Sequence, residues 1–167
     1  LFGNRNNNIY QYNIGYFKRV EKDTNSGLND IRQDLRDDDF FVANLYRQDF
    51  PFLGFTSQVS YIHNRNDEDG ERYFDANGFL ARPSSLGDQK PFAYHVDYFG
   101  LSGDGHYGRM NITTSTYYAT GKTDRHPLAQ REQDIDAFFH ATEVSRDFDW
   151  FRLRGSFLYA SGDEDPF

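Results

Sequence analysis

A chain of 167 residues with a net charge of -8 and no cysteine excludes a disulfide framework and a thiolate metal site. The acidic balance also argues against a nucleic-acid partner, whose phosphates require clustered Lys and Arg. Mean hydropathy is -0.84, yet 18% of the residues are aromatic, an excess foreign both to disordered chains and to the aliphatic cores of most water-soluble domains.

No run of about 18 apolar residues occurs, so no helix is expected to cross a membrane, whereas a spanning strand needs only about 9–11 residues. The opening "LFGNRNNN" lacks the basic start and apolar core of a signal peptide, which predicts a removed leader or an internal piece.

Seven segments alternate with the period of two that marks strands. The first, 9–21, sets Tyr10, Tyr12, Ile14, Tyr16 and Val20 against Gln11, Asn13, Gly15 and Arg19. The second, 39–48, is assigned Phe41, Ala43 and Leu45 as its outward face. In the third, 53–64, Leu53, Phe55, Val59 and Tyr61 alternate with Gly54, Thr56, Gln58 and Ser60, a polar face that is small and hydroxyl-rich rather than charged. The fourth, 92–102, opposes Phe92, Tyr94, Val96 and Tyr98 to His95 and Asp97. The fifth, 106–119, opposes Met110, Ile112 and Tyr118 to Arg109, Asn111, Thr113 and Ser115. The sixth, 134–145, is assigned Ile135, Ala137, Phe139 and Ala141 as its outward set. The seventh, 150–160, opposes Phe151, Leu153, Phe157 and Tyr159 to Arg152, Arg154 and Ser156.

Connections alternate long and short. The long ones, 22–38, 65–91 and 120–133, are rich in Asp, Asn, Gly, Arg and Lys; the short ones are 49–52, 103–105 and 146–149. Loops beyond about 12–15 residues are uncommon in compact domains, and three at every second connection all fall at one end of a meander. The second long loop is expected to carry a small hairpin turning at Asn77-Gly78. Rings gather at two heights. Tyr10, Tyr12, Phe55, Trp150 and Phe151, with Phe50, Phe52, Tyr107 and Phe148, lie toward the short turns; Tyr61, Phe92, Tyr94, Tyr118 and Tyr159 lie toward the long loops. Two aromatic belts are what two membrane–water interfaces select. The expectation is an all-β chain, residues 1–167 forming a single antiparallel transmembrane β-barrel segment of about seven strands, with long exterior loops and short periplasmic turns.

In these features the chain resembles a Gram-negative outer-membrane β-barrel of the porin-like kind. The strand ends "YYATGK" (117–122) and "LYASGDEDPF" (158–167) are similar to the aromatic-then-Gly-Asp strand exits of alginate-export-like barrels. The resemblance implies a bacterial outer-membrane location, lipid and lipopolysaccharide as surroundings, and a hydrophilic solute as cargo. Single-chain bacterial barrels have an even number of strands from eight upward, and "GDEDPF" reads as the start of another exterior loop. A larger barrel is therefore expected, whose remaining strands pair the two sheet edges.

Within such a lumen, Arg109, Arg152 and Arg154, with Arg19 higher up, would form a band that attracts anionic solutes, and Asp97 would face the same lumen. The plainer reading pairs the arginines with Asp97, Asp136 or Glu143 as wall braces. "DEDG" at 67–70 fails the calcium-loop pattern, because Gly70 at loop position six puts Arg65 at position one and Ala76 at position twelve. His63, His95, His106, His126 and His140 lack zinc spacing. A hydrolase triad can be drawn from His95, Asp97 and Ser102 or Ser115, but no GxSxG elbow supports it. No enzyme activity, metal or cofactor is expected. The predicted function is passage or export of hydrophilic solutes, anionic ones included, with loop 65–91 narrowing the channel. The alternatives are a soluble β-sandwich that binds carbohydrate through exposed Tyr and Trp, and a non-conducting barrel that anchors a partner.

Overall fold

The computed structural model describes residues 1–18, 38–67, 73–74, 77–81, 92–126 and 129–162. Its strands are β1 (Phe2–Arg5), β2 (Tyr10–Lys18), β3 (Asp38–Arg47), β4 (Phe55–Asn66), β5 (Tyr73–Phe74), β6 (Leu80–Ala81), β7 (Tyr94–Tyr107), β8 (Met110–Thr123), β9 (Gln133–Asp147) and β10 (Arg152–Ala160). Eight of them form one open antiparallel sheet in the order β1-β2-β3-β4-β7-β8-β9-β10, and β5 and β6 pair separately as a small hairpin. Among the described residues there is no helix, so none long and apolar enough to cross a membrane. Every strand of the large sheet pairs with its neighbour in sequence once the β5–β6 hairpin is passed over, which is the up-and-down meander that the alternating connections predict.

The main sheet has eight strands rather than the expected seven. The additional one is β1, folded back on β2 by Asn6, Asn7 and Asn8, whose φ angles are 54°, 53° and 70°. Asparagine tolerates this left-handed region better than other side-chain-bearing residues, so three in a row make a turn without glycine. The hairpin predicted around Asn77-Gly78 is present, with Gly78 at φ 79°. Arg19, Val20 and most of the second long loop lie outside the described residues.

One turn falls elsewhere than expected. "GDG" at 103–105 lies inside β7, and the chain reverses at Gly108 (φ 60°) and Arg109. The glycines at 103 and 105 serve a close approach instead. A Cβ on Gly103 would overlap the Phe55 ring, and one on Gly105 would overlap the backbone at Gly54. Their bareness lets Phe55 lie down on the sheet, where it is 7% exposed.

Directly paired residues in a ladder point to the same side, so the registers assign every side chain to one of two faces. One row reads Ile14, Ala43, Tyr61, Phe99, Tyr118, Phe138 across β2 to β9; the next reads Tyr12, Leu45, Val59, Leu101, Thr116, His140 and Tyr159, reaching β10. The opposite face carries Asn13, Asn44, Ser60, Gly100, Tyr117 and Phe139 in one row. Two strands take the reverse of their expected orientation. In β7, Tyr94, Val96 and Tyr98 share the polar face with Asn66, Asn64 and Ile62, while His95 and Asp97 share the apolar face with Arg65 and His63. In β9, Ile135, Ala137, Phe139 and Ala141 are on the polar face, and Phe138 and Val144 on the apolar one. The deciding contacts are Phe99 and Leu101 beside Tyr61 and Val59: these pairs set the phase of β7, and every residue two positions away follows.

A second layer is missing from the described residues. Among the described residues only Phe55 and Val96 are buried hydrophobics.

Candidate functional site

The apolar face is organised in height. Toward the short turns stand Phe52, Phe55 and Tyr107, with ring centroids 5.0 Å (Phe52–Phe55) and 5.6 Å (Phe52–Tyr107) apart, and the β9–β10 turn adds the stacked pair Phe148–Phe151 at 4.5 Å with Trp150 beside it. Arg146 lies over Phe148, and Arg47 over Phe50 and Tyr10. Above this belt comes the aliphatic zone of Leu45, Val59 and Leu101. Above that is a second run of rings, Phe41–Tyr61 at 6.1 Å and Tyr61–Phe99 at 5.4 Å, continued on the far strands by Phe138–Tyr159 at 6.1 Å.

The upper limit of the apolar zone is drawn by hydroxyls. Tyr61 donates to Asp97 Oδ1 at 2.6 Å and Tyr118 donates to Asp136 Oδ2 at 3.1 Å, each ring staying among apolar neighbours while its hydroxyl reaches the next row on the adjoining strand. His63 Nδ1 lies 2.8 Å from the same Asp97 oxygen. The last row is Asp39, Arg65, His95, Lys122 and Asp134, with Lys122 paired to Glu132 at 3.0 Å and to Asp134 at 3.4 Å. Of the aromatic positions singled out from the sequence, Tyr10, Tyr12, Phe55, Tyr61, Tyr118 and Tyr159 lie on this face, Trp150 and Phe151 in the β9–β10 turn, and Tyr94 on the other side.

The polar face is a hydrogen-bonded lattice. Asn44 donates to Asn13 at 2.7 Å, Gln58 to Asn44 at 3.1 Å and to Ser60 at 2.8 Å, and Asn13 to the Tyr46 hydroxyl at 3.3 Å. On the far strands Arg154 pairs with Glu143 at 3.3 Å, which also accepts from Ser156, and Arg152 grips Asp147 with two nitrogens, the second at 3.0 Å. Near the long-loop end of this face Asn64, Asn66, Thr123 and Gln133 are all buried around Val96. Both strand arginines thus have carboxylate partners, though Asp97 and Asp136 are not among them. Asp97 is across the sheet from Arg152 and Arg154, and Arg109 sits in its turn 3.8 Å from Asp149. The drawn triad does not assemble: Ser102 and Ser115 pair with one another on the polar face, opposite His95 and Asp97. Among the described residues no group of three or more His, Asp or Glu side chains is placed to hold a metal ion.

Sequence reasoning missed the Tyr-to-Asp hydrogen bonds and the Phe55–glycine contact. The signal for the latter was present in "GDG", whose glycines match an aromatic on the facing strand as well as they match a turn. These two faces define an all-β open sheet, apolar on one side and hydrogen-bonded on the other. No family model, curated protein or solved structure matches the chain.

Proposed function

We propose that this sheet is part of the wall of a transmembrane β-barrel in a bacterial outer membrane, and that the barrel passes hydrophilic solutes. The apolar face would meet lipid and lipopolysaccharide, and the polar face would enclose water. The observation that carries this reading is the accessible apolar band. Tyr12, Leu45, Val59 and Leu101 are each at least 39% exposed, although they are successive partners across β2, β3, β4 and β7. Soluble monomers rarely leave contiguous apolar patches beyond a few hundred Å² open to water. The carbohydrate-binding sandwich needs a second sheet packed on that band, and among the described residues the other sheet is the two-stranded β5–β6 hairpin.

The mechanism requires no chemistry. Backbone groups are satisfied along the ladders, and the outer edges of β1 and β10, unpaired among the described residues, would be joined by the remaining strands of the same barrel, because hydrocarbon tolerates no open edge. Charge and width of the lumen then select the solute. Arg152 and Arg154 give the far wall cationic groups, moderated by Asp147 and Glu143, so the preference for anions is weak. A barrel that inserts without conducting is the second reading, favoured by the buried polar cluster of Asn64, Asn66, Thr123 and Gln133 at the long-loop end.

Conductance of the full chain in planar bilayers tests this. Discrete steps support the channel; vesicle insertion without steps leaves the anchoring barrel; a monomer that stays in water without detergent overturns both.

A further inference from the structure

The turn between β3 and β4 carries Phe50 and Pro51 over the apolar face. Beneath it Ser57 and Thr114 present only small groups, set between the larger Leu45, Val59 and Leu101 on one side and the Phe55 ring, which lies on Gly103, on the other. The result is a groove of about 520 Å³ with a mostly hydrocarbon lining, within the range of sites that hold small molecules. At its mouth stands Arg47, whose guanidinium carbon is 4.4 Å from the Phe50 ring centroid and 5.5 Å from that of Tyr10. Arg47 has no carboxylate partner among the described residues, and Asp49 accepts from the Gly54 amide through Oδ1 at 2.8 Å.

We propose that this groove is a binding site for one phospholipid, with an acyl chain along Leu45, Val59 and Leu101 and the headgroup phosphate on Arg47. It rests on the reading that the apolar face meets a bilayer. A groove in that face fills with hydrocarbon, since water there would face carbon on nearly every side. The cation stands in the aromatic belt, at the height where headgroups lie. Two ring faces hold the guanidinium in place, leaving its fork of N–H groups for a phosphate. Charge and shape therefore point to the same occupant: an anion joined to a chain.

The test uses the full chain in detergent micelles, with phosphatidylglycerol retention followed by native mass spectrometry and membrane insertion followed by flotation with phosphatidylglycerol vesicles. Wild type is expected to keep a lipid and to float. Arg47→Gln should weaken retention roughly tenfold, the loss of a charge-assisted hydrogen-bonded contact. Val59→Trp, which fills the groove, should abolish retention while the protein still floats. Leu158→Ala, on the opposite face, should leave retention and flotation unchanged, and inorganic phosphate should not displace the lipid. Unchanged retention in both Arg47→Gln and Val59→Trp overturns the site, as does complete displacement by inorganic phosphate, which would make it a free-anion site. A wild-type chain that fails to float overturns the membrane reading itself and this inference with it.

Discussion

Tyr61 and Asp97, 36 residues apart in sequence, are joined by a 2.6 Å hydrogen bond at the height where the apolar face of the sheet gives way to charge. The ring belongs to the row of Ala43 and Phe99, and the carboxylate to the row of His63 and Thr120. The pair thus ties an apolar row on β4 to a charged one on β7. Asp97→Ala leaves both Tyr61 and His63 without their acceptor and should cost about 1.5–3 kcal/mol, the range for hydrogen bonds to a charged group. Tyr61→Phe should cost about half of that. Urea unfolding in micelles measures both, and equal small effects would show that the bond does not anchor the strands.

Bilayer and water as surroundings of the apolar face make different predictions for a charge placed on Leu101, which is 59% exposed. In a bilayer, Leu101→Arg should cost about 2–4 kcal/mol if the residue lies near the midplane. On a water-facing surface the same change should fall within about 0.5 kcal/mol of zero. Folding into vesicles of wild type and variant, compared by protection from protease, decides between them.

Glycine positions supply a test of the packing. Gly105→Ala drives a methyl into the backbone at Gly54 and should destabilise by about 1–3 kcal/mol, as overpacking does. Gly155→Ala meets nothing within 4 Å and should be neutral or slightly stabilising. If the order is reversed in denaturant titrations, the β4–β7 register is wrong.

Arg154 and Glu143 are partners at 3.3 Å on the polar face. If that face lines a conducting lumen, Arg154→Gln leaves Glu143 unpaired and should move the reversal potential in a salt gradient toward cation preference, with Glu143→Gln moving it the other way. A wall brace with no contact to the permeating ions would lose stability in both variants and show no change in reversal potential.

Period-two alternation in "LGFTSQVSYIHNR" and "WFRLRGSFLYA" was enough to read strands with two chemically different faces, because side-chain direction along a strand is a local property of the backbone, and the alternating connections gave the up-and-down order. Turn chemistry was legible where one residue type forces it, as at Asn77-Gly78, and illegible where glycine had two uses. Gly103 and Gly105 look like a turn until Phe55 is seen lying on them from another strand. The orientation of β7 and β9 could not be read locally, since each strand offers two half-apolar faces of similar character. Cross-strand partners chose between them: Phe99 and Leu101 met Tyr61 and Val59, and Phe138 and Val144 met Tyr118 and Ile112. That choice carried Asp97 away from the arginines and into reach of Tyr61 and His63. It is a consequence of ladder register, which depends on residues far apart in the chain and therefore leaves no trace in any single segment.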